Sequence, residues 1–234
     1  MSAFNTPLFA LLLTLASYRL AWWLYERSGR HPLAHPFLVA MIPVIAVLLL
    51  LGISYRDYLA GTAVLQFFLG PATVALAWPL YRQLSTLRKI WQQVLVYILI
   101  GAPLAAGLAI ALAAACGAPL DVIGSLAPKS ITTPIALEVS RMTGGYPALA
   151  AGAVAITGIV GVIAAPLVFR LLKVSDDRIR GLALGLVAHA IGTARAFEYG
   201  ERAGAYSSLA LGLTGLLTAI ALPWLWPWIS ALLQ

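Results

Sequence analysis

Residues 90–116 pass without one charged side chain. In hydrocarbon every backbone polar group has to be satisfied within the chain, so only helices and closed barrels cross a bilayer. A run of about 20 apolar residues has the length of one spanning helix. Five further runs read the same way, at 4–25, 36–53, 62–81, 146–172 and 206–233. The chain is 62% hydrophobic and 10% charged, with a mean hydropathy of +0.93. A soluble domain carries about a quarter of its residues charged. The fold class expected is therefore an all-α polytopic membrane protein with about six full transmembrane helices and two broken or re-entrant segments between them.

The formal charge of +7 sits in short loops, at 26–35, 82–89 and 170–180. Positive charge there marks the cytoplasmic side of a membrane, so it implies a lipid bilayer as surroundings and no nucleic acid. Trp22, Trp23 and Tyr25 read as an interfacial belt, and Arg19 can snorkel toward it. The start of the chain lacks a basic n-region and reads as a spanning helix rather than a signal peptide. Cys116 is the single cysteine, which excludes an intrachain disulfide and a thiolate metal cluster. H-E-x-x-H, P-loop, G-x-S-x-G and dinucleotide fingerprints are absent from the sequence. His31 and His35 are four apart, but Pro32 and Pro36 argue against a helical metal pair. The reading is of a protein without catalytic residues, metal or cofactor.

The sequence repeats itself at an offset of 60 residues. Residues 126–152 match 186–212 at Leu126/Leu186, Ile131/Ile191, Thr133/Thr193, Ala136/Ala196, Glu138/Glu198, Gly144/Gly204, Tyr146/Tyr206, Leu149/Leu209, Ala150/Ala210 and Gly152/Gly212. Chance would give about two or three matches. Each unit is a polar, interrupted segment followed by a long apolar run. If 118–143 crossed the membrane fully, the basic loop at 170–180 would fall outside. If that segment dips in and returns, the loop falls inside, and the second unit is inverted relative to the first. The expected organisation is one integrated membrane domain. Residues 1–117 are scaffold-like, and 118–234 form a repeat pair, 118–172 and 178–234, of the kind that builds midplane sites in secondary transporters.

Within the first unit, "SLAPKSITTPIALE" (125–138) puts Lys129 beside Pro128 and five residues before Pro134. Two prolines so close preclude a continuous helix, and irregular backbone at membrane depth is tolerated only where protein or a cavity covers it. Pro134 suits the first turn of a new half-helix ending near Arg141. Lys129, Ser130, Thr132, Thr133 and that helix's free N–H groups suit a small anion with a carboxylate and a hydroxyl. The second unit offers "HAIGTARAFE", where Gly192 permits a break and Thr193 matches Thr133. Arg195 and Glu198 there lie three apart, so on a half-helix they share a face and can pair. Substrate-binding candidates are thus Lys129, Ser130, Thr132, Thr133, Gly192, Thr193 and Arg195. His189, Glu138 and Glu198 are candidates for carrying a coupled proton. Plainer readings stay open: Lys129 neutralising Glu138 or Glu198, His189 as a satisfied core residue, Arg195 with Glu198 as a local helix pair, Glu138 at the membrane surface, and the glycines of 152–161 as helix-packing surfaces.

Three stretches, "SLAPKSITTPIALEVS", "LGPATVALAWPLYRQL" and "GLALGLVAHAIGTARAFEYGERAGAYSSLALGLTGLLTAI", resemble the LrgB/CidB family, and the resemblance covers nearly the whole chain. Val187-Ala188 departs from the small or hydroxyl residue common before the histidine. The resemblance implies a bacterial inner-membrane, multi-pass protein. One implied function is antiholin- or holin-like regulation of murein hydrolase activity and lysis, acting through oligomerisation with a small LrgA/CidA-like partner. The other is suggested by similarity to part of a plastidal glycolate/glycerate translocator. It is secondary transport or exchange of small monocarboxylates of the glycolate, glycerate and pyruvate class, possible with proton coupling and as a homo-oligomer.

Overall fold

The computed structural model describes residues 6–75, 77–82 and 84–233, and the described residues are helical with no strand among them. Phe4 and Asn5 at the start of the first run, Leu76 in the third and Gln83 in the basic loop lie outside that description. The chain divides into two compact units, Met1–Leu76 and Ala77–Gln234.

In the first unit, α1 (Pro7–Arg27) starts on Pro7 with Thr6 Oγ1 accepting from Phe9 N at 3.3 Å. That is the preferred chemistry for a helix N-terminus. α2 (Pro36–Leu51) ends on Gly52 in the left-handed conformation. Between the expected runs 36–53 and 62–81 lies a further helix, α3 (Tyr55–Gly61), capped by Ser54 and bent 120° from α2. Gly61 lies so close to α1 that a Cβ there would fall 2.7 Å from Ala10 Cβ. Thr14 and Tyr58 hydroxyls meet at 2.8 Å. α4 (Ala63–Ala75) completes the unit.

The second unit holds α5 (Ala77–Arg82), α6 (Leu84–Ala115), α7 (Leu120–Leu126), α8 (Thr133–Met142), α9 (Pro147–Leu171), α10 (Asp177–Tyr199) and α11 (Glu201–Leu232). Four helices are long and apolar enough to cross a membrane, namely α1, α6 over Arg88–Ala115, α9 and α11, and α2 with α3 makes a fifth if that bent pair is one span. This is an all-α polytopic membrane protein.

α7 and α8 form a hairpin. Thr143 Oγ1, just past the end of α8, donates to Gly124 O at 3.0 Å. Ser125 Oγ accepts from Tyr146 N at 2.7 Å, and the Tyr146 hydroxyl donates to Asp121 Oδ2 at 2.6 Å. The end of α8 therefore lies beside α7, and residues 127–132 are the tip of a segment that goes in and comes back.

α10 repeats the device. At His189 the backbone leaves the helix, with φ 43° and ψ −130°. Residues 190–199 then fold back along 177–188. A Cβ on Gly192 would strike the carbonyl oxygen of Leu184 and come within 2.7 Å of Ala188 Cβ, and Arg180 lies 5.5 Å from the Tyr199 ring centroid. In a straight helix, residues eight apart are about 12 Å distant. The sequence reading places this break at Gly192. The structure places it at His189, and Gly192 instead allows the two arms to touch.

The first hairpin joins the N-terminal end of α9 and the second joins its C-terminal end. α9 is about 37 Å long, enough to cross the hydrocarbon, so the hairpins enter from opposite faces. α11 confirms the arrangement: its start packs on the second hairpin through Ala203 and Ser207, and Trp226 packs on Gly124 of the first. Ile98 of α6 joins Leu182, Leu186 and Tyr206, whereas Ala113 joins Ile123, Ile131 and Trp226. Arg82 pairs with Glu201 at 2.7 Å, so α5 and the start of α11 share one end.

Candidate functional site

The two tips converge on α9. Val154 belongs to the apolar cluster around Ile131, Ala136 and Val139 of the first hairpin. Its carbonyl oxygen lies 2.9 Å from His189 Nε2 of the second. Gly158, one turn on, makes room for the imidazole, because a Cβ there would fall 2.8 Å from His189 Cε1. Lys129 stands in the tip of the first hairpin, between α7 and α8. Lys129 and His189 occupy equivalent positions of the repeat, each at the break of its own hairpin.

Lys129 is half-buried, and its Nζ donates to Ser130 Oγ at a long 3.3 Å. Among the described residues it has no carboxylate within ion-pair distance. The acids considered as its partners are engaged elsewhere: Glu138 with Arg141 at 2.6 Å, and Glu198 with Arg195 at 2.6 Å. Thr132 is the N-cap of α8 with no side-chain capping bond, Thr133 follows it, and Pro134 occupies the first turn, as its fixed φ favours. The first-turn N–H groups of α8 have no carbonyl of their own helix to bond, so they join Lys129 and the two half-exposed hydroxyls at the tip.

At the second tip Thr193 is buried. Its hydroxyl donates to His189 O at 2.9 Å and meets Ser207 Oγ at 2.9 Å. It thus ties the break to α11. The structure brings together Lys129, Ser130, Thr132 and Thr133 at one tip, and His189, Gly192 and Thr193 at the other. Arg195 and Glu198 form a largely buried pair further along the second hairpin, with Arg195 5.2 Å from the Tyr199 ring centroid. Glu138 and Arg141 are an exposed pair toward the mouth of the first hairpin. Sequence reasoning misses Val154, whose contribution is a backbone carbonyl that no side chain advertises. It misses Ser207 as well.

Two re-entrant hairpins entering from opposite faces around one spanning helix define a multi-pass membrane protein of the inverted-repeat class. Comparison with known proteins adds the family. The LrgB-like family model matches residues 14–228, and the chain belongs to the LrgB-like family. It is 33% identical over 230 residues to "Antiholin-like protein LrgB" of Bacillus mycoides (strain KBAB4), covering 98% of this chain and 100% of that one. The proteins of the same name from Bacillus cereus (strain B4264) and Bacillus anthracis (strain CDC 684 / NRRL 3495) match to the same extent. No solved structure matches the chain.

Proposed function

We propose that this protein is a secondary transporter or exchanger of small monocarboxylates, of the glycolate, glycerate and pyruvate class, in the bacterial inner membrane. One observation carries the reading: Lys129 sits at a hairpin tip with no carboxylate partner among the described residues, beside the N-terminus of α8. A lysine at the centre of a membrane helix costs about 2.5–3.5 kcal/mol on insertion scales. A bound carboxylate offsets that cost.

In this reading Lys129 Nζ and the first N–H groups of α8 hold the carboxylate, and the Thr132 and Thr133 hydroxyls take a substrate hydroxyl or second oxygen. Thr193 and Gly192 position the second tip. Because a carbonyl only accepts, His189 Nε2 carries the hydrogen bonded to Val154 O, leaving Nδ1 to gain or lose a coupled proton. Eight basic residues gather at the second hairpin's end of the bundle: Arg82, Arg88, Lys89, Arg170, Lys173, Arg178, Arg180 and Arg202. The other end of this unit has Arg141, which is paired. The positive-inside rule makes the second hairpin's end cytoplasmic.

A second reading is favoured by the relatives' names: an antiholin-like regulator of murein hydrolase activity and lysis, acting as a homo-oligomer or with a small LrgA/CidA-like subunit. It needs no solute at Lys129 and depends on helix packing instead. Thermal unfolding of the purified chain with added glycolate, glycerate or pyruvate separates the two. Transport predicts saturable stabilisation by one of these acids that Lys129→Met abolishes. Equal midpoints with and without all three acids favour the regulator.

A further inference from the structure

At the cytoplasmic end of α9, a cavity of about 410 Å³ opens between that helix, the 172–176 loop and the second hairpin. Arg170, Lys173 and Arg180 line it, and no acid does. Pro166, Phe169 and Val174 give it an apolar wall, and the Tyr199 ring closes it, in edge contact with Phe169 at 6.2 Å. The nearby acids are taken: Asp176 by Arg178, and Asp177 by Arg180 at 3.4 Å. Arg180 is fixed further by Val174 O at 2.9 and 3.1 Å. Arg170 and Lys173 are exposed and form no ion pair among the described residues.

Lys173 also stands at an unusual place. The helix ends with Val174 N bonding Phe169 O at 2.8 Å and Lys173 N bonding Arg170 O at 3.2 Å, a pattern whose left-handed position usually falls to glycine. Here a lysine holds it, at φ 53°. A side chain kept in a conformation that glycine adopts more cheaply is a pointer to use, and this residue lines the basic cavity.

We infer that this cavity binds the phosphate of an anionic phospholipid of the cytoplasmic leaflet, with Arg170 and Lys173 on the phosphate oxygens and the apolar part of the lipid against Pro166, Phe169 and Val174. A basic pocket at the cytoplasmic ends of membrane helices suits such head groups. The apolar wall favours a lipid over a free phosphate, which shares the same oxyanion. The inference does not depend on which solute is carried.

The test is native mass spectrometry of the full chain, purified and delipidated, with cardiolipin, phosphatidylglycerol or phosphatidylethanolamine supplied in detergent micelles. Anionic-lipid adducts should exceed those of phosphatidylethanolamine by about fivefold. They should fall about tenfold in Arg170→Gln/Lys173→Asn, since asparagine tolerates the left-handed position. They should persist in Arg88→Gln/Lys89→Gln, which removes two charges from the same end of the bundle, and in Arg170→Lys. Unchanged unfolding midpoints show that the variants fold. Equal adducts in the wild type and the Arg170/Lys173 variant overturn the site. Displacement of the lipid by millimolar inorganic phosphate, without preference for the lipid, overturns the lipid as ligand.

Discussion

His189 Nε2 lies 2.9 Å from the carbonyl oxygen of Val154. This contact fixes the ring nitrogen that must carry hydrogen, and it pins the second hairpin's tip to the helix that also supports the first. His189→Gln keeps an N–H donor for that carbonyl but no titratable nitrogen. The expected outcome is a folded protein that exchanges solute across proteoliposome membranes yet no longer accumulates it when a proton gradient is imposed. Retained gradient-driven accumulation would remove His189 from proton coupling.

Gly192 lets the arms of the second hairpin touch, because it has no Cβ. Gly192→Ala places a methyl against Leu184 O and Ala188 Cβ. It should lower stability by about 1–3 kcal/mol, as overpacking does, seen as an earlier unfolding midpoint in detergent. Gly152 faces open space on α9. Gly152→Ala should be neutral or stabilising by roughly 0.5–1 kcal/mol, because alanine loses less backbone freedom in a helix.

The hairpin geometry puts Cys116 and Met142 on one side of the membrane, since both lie at the mouth of the first hairpin and both are exposed. A membrane-impermeant maleimide applied to spheroplasts should label native Cys116. In a Cys116→Ser background it should label Met142→Cys equally, but Lys173→Cys only after the membrane is opened. Labelling of residues 116 and 142 from opposite sides would mean that the segment between them crosses.

Asp176 caps α10, accepting from Arg178 N at 2.8 Å, and its carboxylate is gripped by the Arg178 guanidinium. That hydrogen bonding, with help from the charges of Arg178 and Arg202, lowers its pKa from 3.8 to about 2. A carboxyl lowered on folding contributes stability that is complete above its unfolded value and is lost as pH falls through the folded one. The contribution should therefore hold above about pH 4 and disappear toward pH 2. The effect is small, because solvent reaches about a third of each side chain of the pair and screens it. Asp176→Asn keeps the cap and removes the charge. Between pH 5 and pH 2.5 the wild type should lose more of its unfolding midpoint than this variant does.

Much of the architecture was legible because the bilayer permits so few solutions. Long apolar runs gave α1, α6, α9 and α11, and Pro128 with Pro134 marked the first hairpin's tip. Charge placement argued that 118–143 returns, which the Asp121–Tyr146 and Gly124–Thr143 contacts bear out. The second break was placed three residues late, because glycine is the usual breaker and a histidine at φ 43° is not anticipated from residue type. The helix α3 was not anticipated, since "SYRDYLAG" is too short and too polar to declare itself. Val154 was invisible for a different reason: its part is played by a main-chain carbonyl that meets a side chain brought from 35 residues away.

The most direct test of the account is uptake of radiolabelled glycolate, glycerate and pyruvate into proteoliposomes holding this chain alone, wild type beside Lys129→Met. The account predicts saturable uptake of at least one acid by the wild type and uptake near the empty-vesicle level in the variant, with both proteins equally folded. Equal uptake by wild type and Lys129→Met, or none by the wild type even with an LrgA/CidA-like subunit added, would contradict it.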